Sequence, residues 1–320
     1  MHWTMCLEGG PRRVNHAAVA LNDEIYSFGG YYSNEVYDGR QPIDVHVLDT
    51  KTCRWRKLPV STDENDSSIS QSNIPYQRYG HAVVVYKNKA YLWGGRNDDF
   101  GACSKMYCFD PKTISWSLVP CRGEIPPARD GHSAVVLDDT LYMFGGFEEQ
   151  SQRYFSLFFP RWRDFHTACI INRKMYVFGG RSDLLSEFHS SQDYYSNALK
   201  VLNLETYRWE DPEVTGDLPC GRRSHSACKH LNDLHEFDPG TSCWRLLKPY
   251  GSGPSPRRRQ CAIVIASRVF LFGGTMLVLP CKSSKAELIN NGLSNLSDLH
   301  VLDYGLLAII FCFIFAIFNS

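Results

Sequence analysis

The 320 residues set 34 Lys and Arg against 34 Asp and Glu. No global field therefore draws the chain to nucleic acid or to a membrane surface, and any charged site must be local. A hydrophobic share of 43% makes a sizeable core available. The opening MHWTMCLEGGPRR has no apolar signal-peptide core, and the twelve cysteines include no CxxC, so reduced structural thiols in the cytosol or nucleus are expected.

In chain order, HWTMCL is extended and carries Trp3. An arginine–histidine pair, Arg13 and His16, follows, and thirteen residues after the histidine stands Gly29–Gly30. The unit recurs as Arg78, His81 and Gly94–Gly95, then as Arg129, His132 and Gly145–Gly146. Next come Arg163, His166 and Gly179–Gly180. Arg222 and His225 have no glycines, and Arg257, Gln260 and Gly273–Gly274 close the series. The approaches IYSFGG, AYLWGG, LYMFGG, MYVFGG and VFLFGG read as strands from their apolar and aromatic content, and the glycines are expected to end them.

A second unit, [DN]xxTxxW, recurs at Asp49–Trp55, Asp110–Trp116, Asn203–Trp209 and Asp238–Trp244. Its Asx residue and threonine suit a tight turn, and its tryptophan suits packing between sheets. His46, His235 and His300 share one slot in DVHVLD, DLHEFD and DLHVLD. A residue type recurring at fixed spacing is read first as a scaffold device. RWRDFH therefore reads as one repeat unit rather than a catalytic constellation.

Two units are short. Twenty residues separate Gly146 from His166, with no DxxTxxW between them, and His225 leads straight to DLHEFD. Either these units are incomplete or coding segments have been lost. TDENDSSISQSN (62–73) and LLSEFHSSQDYYSN (184–197) read as exposed loops. GLLAIIFCFIFAIF (305–318) is uncharged and shorter than the roughly 20 residues a spanning helix needs. A translation artefact, a membrane or interaction tail and a buried last strand are the readings of it.

The spacing resembles the kelch repeat. That resemblance implies an all-β, six-bladed kelch β-propeller with the third and fifth blades incomplete. Residues 1–304 would form the propeller, closed by the N-terminal strand beside DLHVLD, and 305–320 an apolar tail. No P-loop, HExxH or GxSxG is present, and no copper-oxidase ligand set can be assembled. The reading is of a non-enzyme with no cofactor.

What remains is a crown of arginines. The six register arginines are expected to bond carbonyls or carboxylates between blades. Arg12, Arg96, Arg181, Arg223, Arg258 and Arg259 break the register, and Arg96 and Arg181, directly after glycine pairs, are the leading ligand candidates. Guanidinium forks in a funnel suit a carboxylate, with Tyr31, Tyr79 and Phe147 as walls.

Longer phrases sharpen the resemblance: LEGGPRRVNHAAVA, YGHAVV, LWGGRND, PARDGHSA, RWRDFH, FGGRSD, GRRSHSA and PRRRQC. They are similar to kelch propellers that act as substrate receptors of a cullin-2 RING ubiquitin ligase and capture C-terminal glycine degrons. The resemblance implies a peptide C-terminus site at Arg181, Arg222, Arg223 and Ser224, and the arginine crown with its aromatic walls adds Arg96, Arg163 and Tyr79 as candidates. It implies elongin B/C and cullin-2 as partners and a cytoplasmic or also nuclear location. The alternative is a scaffold for chromatin, in a meiotic role, or for other proteins. The relatives' docking box has a Leu-x-x-x-Cys core; here Ala308 stands four before Cys312, so that box is not evident.

Overall fold

The computed structural model describes residues 1–6, 9–32, 40–59, 73–148, 160, 162–183, 192–223, 232–277, 293–304 and 313–315. Its strands form a propeller of small sheets. Blade one is antiparallel in chain order: Ala17–Leu21, Glu24–Phe28, Val45–Asp49, Arg54–Lys57. Blade two repeats it with Tyr79–Tyr86, Lys89–Asn97, Met106–Asp110 and Ser115–Val119. Blade four uses Thr167–Ile171, Lys174–Phe178, Lys200–Asn203 and Arg208–Glu210. Blade six takes Arg258–Ile265, Arg268–Leu277 and Leu299–Asp303 from one end of the chain and His2–Cys6 from the other. Trp3 lies opposite Leu302 in that last antiparallel pair, which covers an otherwise open sheet edge.

Two blades are reduced among the described residues. Blade three is the hairpin Ser133–Leu137 and Thr140–Phe144. Blade five consists of Leu234–Asp238 and Cys243–Leu247, flanked by Thr215–Gly216 and by Phe313–Phe315. The first strands of blades six, one, two, three and four lie side by side in that order, so the sheets are arranged around an axis.

The [DN]xxT turns form as their chemistry requires. Asp49 Oδ1 accepts from the amides of Lys51 at 2.8 Å and Thr52 at 3.1 Å. Asn203 accepts from Glu205 and Thr206 at 2.9 and 3.1 Å. Each tryptophan then reaches back to the phenylalanine before the preceding blade's glycine pair. Trp55 meets Phe272 at 4.9 Å, Trp209 meets Phe144 at 5.0 Å, and Trp244 meets Phe178 at 5.2 Å between ring centroids. Blade three has no such tryptophan, and its predecessor carries Trp93 where the others carry phenylalanine. The larger ring packs against His132 at 4.9 Å, and its Nε1 donates to Ser104 O at 3.1 Å.

The glycine pairs are dictated by the next blade. The amides of Gly30, Gly146, Gly180 and Gly274 donate to the carbonyls of Arg78, Arg163, Arg222 and Arg13 at 2.8–2.9 Å. A Cβ on the first glycine of a pair would strike the same carbonyl, at 2.3 Å for Gly145 against Arg163 O. One expectation is corrected here: in blades two and six the strand runs through the glycines, to Asn97 and Leu277, instead of ending at them. Gly145 also has φ +68°. Gly145→Ala is therefore expected to cost about 2–4 kcal/mol from left-handed strain and the clash together. Chemical denaturation is the check, and a loss under about 0.5 kcal/mol would contradict this account of the seam.

Candidate functional site

Two residues after five of the register arginines, the backbone turns left-handed. Asn15, Gly80, Gly131, Phe165 and Arg259 have φ of 53°, 67°, 68°, 51° and 62°. Their peptides are joined around the axis. Asn15 N donates to Arg259 O at 3.1 Å, Gly80 N to Asn15 O at 3.0 Å, Gly131 N to Gly80 O at 2.8 Å, and Phe165 N to Gly131 O at 2.7 Å. Glycine and asparagine tolerate this conformation; phenylalanine and arginine are strained in it. Both bulky residues line an axial cavity of about 260 Å³.

The cavity wall is a ring of histidines: His16, His81, His132 and His166, all buried. His16 packs on Phe272 at 5.3 Å and His166 on Phe144 at 5.2 Å. Ser133 Oγ lies 2.7 Å from His166 Nε2. Burial, then the neighbouring register arginine, holds the first three down to about 3 and His166 well below its usual range. The ring is neutral at physiological pH. Among the described residues no group of three His, Cys, Asp or Glu side chains is placed to hold a metal.

The register arginines belong to the walls. Nη1 of Arg78, Arg129 and Arg163 donates to the first glycine carbonyl of its own blade, at 3.1, 3.1 and 2.9 Å. Arg13 Nε reaches Asp44 at 3.0 Å. Arg222 forks onto Asp233 at 2.9 and 2.7 Å, and Arg257 onto Asp298 at 2.7 and 2.6 Å. Burial alone would raise Asp233, but hydrogen bonds from His235 and Arg222 outweigh it and lower the carboxyl to about 2. These side-chain bonds stay within a blade, which corrects the expectation of bonds between blades. What crosses to the preceding blade is the arginine's backbone carbonyl. Arg163 and Arg222 are thus buried wall residues, and Ser224 and His225 lie outside the described residues.

Two of the out-of-register arginines meet at one carboxylate. Arg181 forks onto the fully buried Asp164 and points Nη1 at Asp193, 3.8 Å away. Arg223 approaches the same Asp193 at 3.8 Å and lies over the Tyr195 ring at 5.3 Å. Two guanidinium groups thus share one partly exposed carboxylate. In a second group, Tyr79 donates to Asp98 at 2.7 Å, Arg96 lies 3.7 Å from that oxygen, and the rings of Tyr31 and Tyr79 meet edge to face at 6.3 Å.

Arg259 connects the two groups. Burial, then the charges of Arg258 and Arg223, lower it to about 10, while Tyr79 and Tyr31 act in the opposite sense. The fold therefore gathers Arg181 and Arg223 in one cluster, Arg96 and Tyr79 in another, and Arg259 between them. Phe147 sits on a short strand opposite Asp130. Sequence reasoning noticed Arg259 as out of register but did not place it in the site, and it missed Asp193 and Tyr195. The legible signal for Arg259 was its slot, which is Asn15, Gly80 and Gly131 in other blades.

A family model described as the KLHDC2/KLHL20/DRC7 Kelch-repeats domain matches residues 15–159 and 155–274. Kelch domain-containing protein 3 of Homo sapiens is 40% identical over 343 residues, covering 95% of this chain and 87% of that protein. Its Bos taurus counterpart is 41% identical over 342 residues with the same coverage. Kelch domain-containing protein 2 of Bos taurus is 25% identical over 291 residues, covering 82% of this chain and 63% of that protein. The 343-residue alignment exceeds the 320 residues of this chain, so that relative carries residues with no counterpart here.

Proposed function

The chain belongs to the kelch-repeat family, whose propellers are binding scaffolds, and from that premise we propose that its axial mouth reads the C-terminal carboxylate of a partner protein. The observation that supports this reading is the meeting of Arg181 and Arg223 at Asp193 beside Tyr195, with Arg259 on the axial cavity wall within electrostatic reach of Arg223, Tyr79 and Tyr31. A terminal carboxylate offers two acceptor oxygens to guanidinium forks, and aromatic walls dry the contact.

In this reading the protein is a non-enzymatic receptor that presents its bound partner for ubiquitylation. Its working place is the cytoplasm and nucleus. The elongin B/C and cullin-2 half of that role needs a docking segment, and Ala308 and Cys312 do not reproduce the Leu-x-x-x-Cys core. An elongin B/C pull-down with the full chain tests that half separately.

The test of the carboxylate is a fluorescence-anisotropy titration with a glycine-ended peptide and its C-terminally amidated twin. Amidation is expected to abolish binding. Arg223→Ala is expected to weaken the free-acid peptide about 10- to 100-fold, the equivalent of about 1.5–3 kcal/mol for a charge-assisted bond. Equal binding of the two peptides would overturn the reading in favour of a scaffold that grips partners by its loops.

A further inference from the structure

Ten residues separate His225 from His235, whereas thirty separate His16 from His46 and forty separate Gln260 from His300. A kelch blade fits the rest of its first strand, its second strand and a return loop into that interval. Ten residues cannot hold them, since each strand alone takes about five. Blade five thus has its third strand, Leu234–Asp238, and its fourth, Cys243–Leu247, but no sequence of its own for the second.

The inner edge of Leu234–Asp238 is nevertheless paired. Phe313, Ile314 and Phe315 lie antiparallel to it, opposite Phe237, Glu236 and His235. The register matches the intact blades. In blade one His46, Val47 and Leu48 face Ser27, Tyr26 and Ile25. In blade six His300, Val301 and Leu302 face Leu271, Phe270 and Val269. The C-terminal strand therefore takes the position and direction of a second strand.

Composition agrees with placement. The second strands of blades one and six are deeply buried: Ile25, Val269, Phe270 and Leu271 are all fully inaccessible. A strand covered on both faces reads as a continuous apolar run, and 305–318 is one. The reach is available. Eight residues lie between Tyr304 and Phe313, enough for about 26 Å of extended chain. Blade six adjoins blade five, where Trp3 packs in one cluster with Leu234 and Leu247.

We propose that Phe313–Phe315 serves as the second strand of blade five, donated in cis from beyond the ring closure. The inner edge of Leu234–Asp238 is its docking surface, and it replaces strand-forming sequence that the fifth repeat lacks.

The test places cysteines on directly opposed positions of the full chain, Glu236→Cys with Ile314→Cys. Opposed residues of an antiparallel pair have Cα atoms about 4.5–5.5 Å apart, within disulfide range. A Thr4→Cys, Val301→Cys chain, opposed in the same way at the N-terminal closure, calibrates the yield. After mild oxidation with oxidised glutathione, mass spectrometry is expected to find the 236–314 linked peptide in monomeric protein at a comparable yield. Three results would overturn the proposal: absence of that link where the 4–301 link forms, its appearance only in a covalent dimer, or flotation of the full chain with phosphatidylcholine vesicles. Independently, ending the chain at Tyr304 is expected to speed amide exchange across 234–238 at least tenfold in protein that retains its protected blade-one amides. Unchanged exchange there also counts against it.

Discussion

Between pH 7 and pH 5 the protein is expected to lose on the order of 6 kcal/mol of stability from three buried histidines, and more from a fourth, a loss comparable to the whole stability of a typical domain. The source is the axial ring of His16, His81, His132 and His166. In the unfolded chain each titrates near 6.5; in the fold, burial holds three of them near 3 and His166 well below its ordinary value. Below 6.5 the unfolded state binds protons that the native state refuses. The contribution is therefore intact above about 6.5 and is lost as pH falls toward 3, at about 2 kcal/mol by pH 5 for each of His16, His81 and His132, with His166 acting in the same direction. The carboxylates held low by ion pairs, such as Asp233, add their own loss only below about pH 4. Blade six supplies the control, because Gln260 occupies the histidine slot there. Each His→Gln exchange is expected to flatten the pH dependence of denaturant unfolding by one histidine's share. A stability flat between pH 7 and 5 would remove the neutral ring from the account.

Arg181→Ala is expected to cost about 3–5 kcal/mol of stability before any question of ligand arises, the usual penalty for stranding a buried charge. Asp164 is fully inaccessible and Arg181 forks onto it. Burial already raises the Asp164 carboxyl above its ordinary range, and Arg181 is the main opposing influence. Without the guanidinium the carboxyl rises further. A carboxyl raised in the fold contributes stability below its unfolded value and loses it as pH climbs through the folded one. The variant's deficit is therefore expected to be larger at pH 8 than at pH 5, the reverse of the histidine effect. Adding Asp164→Asn is expected to recover most of the loss. Failure of the double variant to recover, with a deficit independent of pH, would show that Asp164 is not the group left stranded. The same reasoning makes Arg223, which reaches its carboxylate only at 3.8 Å, the better probe of binding.

Much of the architecture was legible because a propeller repeats its contacts. The Arg–His–Gly-Gly spacing recurs since each glycine amide must meet the next blade's arginine carbonyl. The [DN]xxTxxW spacing recurs since a side-chain-capped turn delivers a tryptophan to the preceding blade's phenylalanine. The reduction of blades three and five could be read in the same way, as missing intervals. The site was less legible. Arg96 and Arg181 look equally available along the chain, each directly after a glycine pair, yet one lies 3.7 Å from the exposed Asp98 and the other forks onto the buried Asp164. Arg259 carries a signal only once its slot is known to be left-handed and axial.

The order of residues by itself determined that this chain builds repeated β-sheets and which side chains recur at each seam, because those demands are local and are met at fixed intervals. Only the closed tertiary structure decided which guanidinium groups line the mouth. It also decided where the strand Phe313–Phe315 pairs. Both depend on acceptors and strand edges supplied by distant segments, as Asp44 supplies Arg13 and Leu234–Asp238 supplies the C-terminal strand. A local sequence carries no record of a partner that ring closure brings to it.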